Sequence, residues 1–115
     1  AQFMRVLVCG GRDYRDHGRV KQVLDALDPR PSCVLHGNAQ GADFCGALWA
    51  RRSGVLDFPF PALWDLYGPG AGYVRNKRML IHGRPDLVIA FPGGRGTANM
   101  IDIARRAGVE VRVVK

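Results

Sequence analysis

Five short apolar runs recur along the chain, at Arg5–Cys9, Cys33–Gly37, Val55–Phe60, Asp86–Phe91 and Val109–Val114. The first, second and fourth are almost unbroken in Val, Leu, Ile, Ala and Cys. That pattern predicts strands covered on both faces, because a strand with one wet face alternates polar and apolar residues. Between the runs, apolar residues return at helical spacing. Val20, Val23, Leu24 and Leu27 fall at i, i+3, i+4 and i+7 and predict a helix from about Asp16 to Asp28, stopped by Pro29 and Pro31. A second helix is predicted over Gly41–Ser53, with Phe44, Cys45, Leu48 and Trp49 available for burial. A third covers Gly72–His82, and a fourth covers Thr97–Ala107, ended by Gly108.

Strand and helix alternate throughout, which gives a parallel sheet with helices on both faces. Right-handed crossovers make this α/β chain a single Rossmann-like, doubly wound, five-stranded domain over residues 4–115, with expected strand order 3-2-1-4-5. In such sheets ligands bind at the carboxyl ends of the strands, where the winding reverses. Here that point lies between the first and fourth strands.

Composition narrows the class. The chain has 115 residues, 47% hydrophobic and 23% charged, as in an ordinary soluble domain. No apolar run approaches the length of a membrane span. No charged-then-apolar leader opens the sequence, so a cytoplasmic protein with no membrane partner is expected. Ala1-Gln2-Phe3 reads as a cloning remnant ahead of a native start at Met4. Cys9, Cys33 and Cys45 form no C-x-x-C pair and share no ligand spacing with His17, His36 and His82. They read as buried thiols in a reducing compartment, with no metal and no tightly held cofactor called for.

The formal charge is +7, carried by 14 Arg against 3 Lys. Arginine is the better bidentate partner for phosphate. Arg51, Arg52, Arg105 and Arg106 fall late in helices, where cations suit the dipole. Arg12, Arg75, Arg78 and Arg95 lie in or beside glycine-rich loops, a placement that points to a ligand.

The richest loop is Phe91-Pro92-Gly93-Gly94-Arg95-Gly96-Thr97, between the fourth strand and the fourth helix. Glycines let backbone approach a ligand, and the free N–H groups of a helix start attract anions. Gly93, Gly94, Gly96 and Thr97 form a phosphate cradle; Arg95 either reaches the phosphate or points to water. The loop lacks the Lys-Ser/Thr of a Walker A motif and is not G-x-G-x-x-G. No acidic residue follows at the offset that reads an NAD ribose, since Glu110 comes too early. ATPase and NAD-dependent chemistry are therefore disfavoured. Gly10-Gly11-Arg12 projects from the first strand as the opposite wall. Arg12 either clamps a second phosphate or a ribose oxygen, or pairs with Asp13 or Asp16.

Four segments share this face: Cys9–Tyr14, His36–Asp43, Ala71–Leu80 and Phe91–Thr97. Together, and in this order, they resemble the SLOG superfamily, most closely its small stand-alone YspA-like branch; Trp64 and Tyr67 also look like that branch. Two relatives share parts of the pattern. LOG-type phosphoribohydrolases split nucleoside 5′-monophosphates into base and ribose 5-phosphate, and their P-G-G-x-G-T loop matches Pro92–Thr97. The resemblance implies phosphate binding there, with Arg75 or Arg78 as a helper. That family carries a catalytic glutamate three residues after the Thr, where this chain has Met100. Asp102 is turned about 200° further around the helix and cannot replace it. The DNA-processing protein A family, which binds single-stranded DNA, is similar at Gly37–Asp43 and Arg75-Asn76. The positive charge suits DNA, but Trp49 is expected to be buried, leaving few aromatics for stacking.

The expected ligand set is Gly10, Gly11, Arg12, Gly37, Asn38, Asp43, Arg75, Asn76, Arg78, Pro92, Gly93, Gly94, Arg95, Gly96 and Thr97. Asp43 either caps its helix or accepts a ribose hydroxyl, and with Arg75 it is the pair available for catalysis. His36 reads as a strand-end histidine bonded to backbone. Gly68–Gly72 is expected as a mobile, glycine-rich lid. The expected partner is a nucleotide or nucleotide-derived small molecule, sensed or sequestered. N-glycosidic hydrolysis and single-stranded nucleic-acid binding are the alternatives. A homodimer through the third or fourth helix is expected from Val74, Met79, Leu80 and Ile81.

Overall fold

The computed structural model describes residues 3–115; Ala1 and Gln2, two of the three positions read as a cloning remnant, lie outside the described residues. The five strands are β1 (Arg5–Cys9), β2 (Cys33–His36), β3 (Leu56–Pro59), β4 (Leu87–Ala90) and β5 (Glu110–Val113). They pair in parallel in the order β3-β2-β1-β4-β5, as the sequence predicts. β1, β2 and β4 form the buried centre. The mixed runs became the edges, where one ladder side has no partner and polar residues cost nothing. Leu56 and Phe58 of β3 and Val113 of β5 remain exposed.

The two-residue side-chain period of the strands sorts the core into two layers. Val6, Val8, Val34, Ile89 and Phe91 face α1 (His17–Asp25) and α2 (Ala42–Ser53), meeting Val20, Leu24 and Trp49. Leu7, Cys9, Leu35, Val88 and Ala90 face the opposite layer with Met79, Met100 and Ala104. Each fully buried Val or Leu contributes roughly 1.5–3 kcal/mol of transfer free energy. A five-residue strand buried on both sides is therefore sufficient to fix the register.

α1 is shorter than its apolar period suggests. Asp16 caps it by accepting from Arg19 N–H at 2.9 Å, and Leu27 is buried just beyond its end. On α2 the buried stripe is Ala42, Cys45, Gly46, Trp49 and Ala50, an i, i+3, i+4, i+7, i+8 series of mainly small residues. Phe44, one of the residues available for burial, falls off that stripe and is half exposed against the edge of His17. The three cysteines are free and buried.

The largest departure from expectation is between β3 and β4. A short helix α3 (Trp64–Tyr67) runs through a 3-10 turn, Gly68–Gly70, into α4 (Ala71–Arg78) and a π turn, Met79–Gly83. The segment read as a lid loop is thus helical. Pro69 stands in the first turn, where a missing N–H costs nothing and a fixed φ helps. α5 (Arg95–Arg106) begins two residues earlier than predicted, with Arg95 inside it. No helix among the described residues is long and apolar enough to cross a membrane.

Candidate functional site

The carboxyl ends of β1 and β4 are tied together before any side chain is considered. Gly11 N–H donates to Pro92 O at 2.8 Å and Phe91 N–H to Cys9 O at 2.9 Å. The loops can approach because both are glycine: a Cβ on Gly93 would lie 2.2 Å from Thr97 Oγ1 and 2.6 Å from Gly11 N. Gly41 joins the same knot. Its φ of +78° suits glycine, and a Cβ there would meet Gly11 O at 2.1 Å.

Gly94 and Gly96 differ from these. A Cβ on either would meet no atom within 4 Å, so the protein's own packing does not require them to be glycine. Both line a cavity of about 350 Å³ between the two loops. Gly94 begins α5 without a side-chain cap, and the first helical bond is Ala98 N–H to Gly94 O at 3.0 Å. The N–H groups of Arg95, Gly96 and Thr97 therefore have no partner within the helix, and no acidic residue occupies its first turn.

Gly10, Gly11 and Arg12 form one wall of this cavity, and Asp43, Arg75 and Asn76 another. Three arginines, Arg12, Arg75 and Arg95, line it against one carboxylate, Asp43. The salt bridges expected as the alternative for Arg12 do not form among the described residues. Asp16 is occupied as the α1 cap, and the Arg12 guanidinium lies 5.5 Å above the Trp64 ring.

Asp43 and Arg75 are joined through the Gly37 peptide. Gly37 N–H donates to Asp43 Oδ2 at 2.8 Å, and Arg75 Nη1 donates to Gly37 O. A Cβ on Gly37 would lie 2.3 Å from Arg75 Nη1 and 2.8 Å from Asp43 Oδ2, so only glycine fits between them. Arg75 Nε donates to Asn76 Oδ1 at 3.0 Å, and Asn76 Nδ2 donates to Gly96 O and Asn99 Oδ1, both at 3.0 Å. Burial pushes the Asp43 carboxyl above the usual range, against the opposing charges of Arg75 and His36 and the Gly37 and Ala39 N–H bonds. Burial also draws the Arg75 guanidinium down, countered by Asp43; it stays a cation. Burial and then the Asp43 charge push the Cys9 thiol up to about 12, so it is no nucleophile at neutral pH.

His36 is buried, with both ring nitrogens engaged: Nδ1 accepts Asn38 N–H at 3.0 Å, and Nε2 meets the Asp57 carboxylate. Gly37 and Asn38 line an adjoining cavity of about 410 Å³ that shares Arg12, Ala39, Trp64 and Arg75 with the first. Arg78, Pro92 and Gly93 line neither cavity; Pro92 and Gly93 act through the loop's shape. Of the two helper arginines considered, Arg75 is the one in the cavity.

Met100 is fully buried with Leu7, Cys9 and Met79, so its position belongs to the core. Exposed aromatics are also not scarce: Trp64, Tyr67 and Tyr73 are each nearly half exposed, and Trp64 and Tyr73 line the cavity. The available signal was three aromatics between positions 64 and 73, just ahead of Arg75-Asn76, in a glycine-rich stretch with no helical period to bury them.

A model of YspA, cpYpsA-related SLOG proteins matches residues 4–67. The Gene 61 protein of Mycobacterium phage D29 is 38% identical over 117 residues, covering 93% of each chain. The X-ray structure of DNA processing protein A from Streptococcus pneumoniae is similar at a TM-score of 0.78 and 21% identity, over 98% of this chain and 50% of that one. That is a likeness of fold, and this chain spans half the length of that structure.

Proposed function

Because this chain belongs to the YspA, cpYpsA-related SLOG family, we propose that it binds a nucleotide or nucleotide-derived ligand between its β1 and β4 loops, as a sensor or sequestering module. One observation carries this: the uncapped start of α5 opens into a cavity whose charged lining is three arginines and one buried carboxylate. Three backbone donors aligned with a helix dipole stabilise an anion before it arrives. Phosphate is the anion that also suits arginine forks. Asp43 and the Asn38 amide remain for ribose and base.

A binder is favoured over an enzyme because the cavity lacks a second carboxylate. Met100 lies in the core, and Asp43 is held by the Gly37 N–H. Hydrolysis of the N-glycosidic bond remains a second reading on one observation. A carboxyl raised by burial and lining the cavity is the type of group that protonates a leaving base. Single-strand binding draws support from the exposed Trp64, Tyr67 and Tyr73.

The test is thermal stabilisation by ribonucleoside 5′-monophosphates, cyclic nucleotides and ribose 5-phosphate. A ligand at a hundred times its Kd stabilises by about 2.7 kcal/mol. If no nucleotide raises the melting temperature while a single-stranded oligonucleotide binds with steep salt dependence, the nucleic-acid reading replaces this one.

A further inference from the structure

Trp64 has no role in the phosphate site, yet it is the side chain best placed to complete it. The residue is 47% exposed, at the start of the short helix α3. It lines both the 350 Å³ cavity and its 410 Å³ neighbour. An indole left this open forgoes much of its burial free energy, which is unusual for a residue serving only stability. One face already carries a flat, delocalised group: the Arg12 guanidinium, 5.5 Å from the ring centroid and without an ion-pair partner among the described residues. The second cavity presents Asn38 and Gln40, two amides whose side chains make no hydrogen bond among the described residues, with Pro61 and Ala62 beside them. Amide edges and an indole face suit a heterocyclic base; free N–H groups and Arg95 suit a phosphate. The two chemistries lie on either side of Arg12 and Trp64.

We propose that Trp64 is the stacking platform for the base of the bound nucleotide. The ligand's phosphate rests on α5, and its base reaches past the Arg12–Trp64 pair to the Asn38 and Gln40 amides. This rests on the nucleotide reading above. Arg12 is the placeholder: a guanidinium on the indole is displaced by a base at little cost and is then free to meet the phosphate.

Intrinsic fluorescence tests it directly, because the other tryptophan, Trp49, is buried and bonded to Asp25 on the far layer. Adenosine 5′-monophosphate should quench the emission, ribose 5-phosphate should not, and the nucleotide-dependent quench should vanish in W64F. By calorimetry, W64A should weaken the nucleotide by ~5- to 150-fold, the range of one lost base–aromatic stack. The factor for ribose 5-phosphate should stay near one, which a general loss of structure would not allow. W64F, which keeps a ring, should fall between wild type and W64A. If the nucleotide binds W64A as tightly as wild type, without quenching the wild-type protein, this proposal fails and the phosphate site stands. If neither compound binds wild type, both readings fail together.

Discussion

Replacing Gly94 by aspartate separates the fold's need for that residue from a ligand's. A Cβ there meets no protein atom within 4 Å, and aspartate is a good substitute for glycine at a helix N-cap, so stability should change by only a few tenths of a kcal/mol. The new carboxylate sits over the N–H groups of Arg95, Gly96 and Thr97, the place assigned to phosphate. Two unit charges 4 Å apart interact by about 4 kcal/mol at the effective dielectric of a protein surface. With part of that screened, about 2–4 kcal/mol is expected, a loss of ~30- to 1000-fold in affinity. Gly94→Asn has the same shape without the charge and measures the steric part. Calorimetric titration of adenosine 5′-monophosphate into the three proteins, beside their urea midpoints, gives both quantities. Equal affinities for the aspartate and asparagine variants would place the anion elsewhere. A large loss of stability in both would show that the loop itself needs this glycine.

The neighbouring glycine should behave in the opposite way: Gly93→Ala forces a methyl against Gly11 N and Thr97 Oγ1, costing about 1–3 kcal/mol and lowering the melting temperature by several degrees even without ligand. Burial raises the Asp43 carboxyl, so its contribution to stability is fully present below the unfolded value of ~3.9 and declines as pH rises through the higher folded one. Asp43→Asn, whose amide oxygen still accepts from Gly37, should therefore gain on wild type in urea midpoint as pH rises from 4 to 8, and a constant gap would refute the shift. Release of free base from ribonucleoside 5′-monophosphates should be absent or very slow by chromatography. Met100→Glu should not restore it, since a lone carboxylate in that core costs about 3–5 kcal/mol; robust turnover abolished by Asp43→Asn would establish the enzyme. We expect a homodimer, with the apolar surface of Leu63, Leu66 and Tyr67, exposed at 42%, 69% and 46%, in its interface. Of the residues first expected there, Ile81 is 53% exposed, whereas Met79 is in the core and Leu80 packs partly against it; light scattering that shows a monomer at high micromolar concentration would end that expectation.

The sheet was legible because its central strands are apolar on both faces, and two-sided burial leaves a plain signal in Val6–Cys9, Val34–Leu35 and Leu87–Ala90. The glycine-rich loop after β4 stood out for a related reason: glycine clusters are costly unless backbone or ligand needs the room. What stayed hidden depended on tertiary context. The four residues of α3 and three of the 3-10 turn are too few to show a period, and two glycines around Pro69 mimic a loop when they in fact close a 3-10 turn. Phe44 and Trp49 look alike in a helical window, and only the small residues at Ala42, Gly46 and Ala50 decide which face meets the sheet. Position 100 could be matched to a motif, but whether its side chain faces cavity or core depends on how α5 is rolled against β4 and β5.

Arg75 and Asn76 are adjacent in the chain yet grip opposite sides of the cleft, one holding the Gly37 carbonyl and the other the Gly96 carbonyl. Each bond takes the C=O of a peptide near the site and leaves the helix-start N–H groups unengaged. The cleft is therefore cross-braced by a single dipeptide. Opening either bank strains the same turn of α4, so the two banks cannot loosen independently. An occupant that nudges α5 tugs on α4, and α4 continues from the half-exposed segment Leu63–Tyr67. The brace makes the cleft stiff where it grips and carries any give outward, to the surface most open to a neighbour.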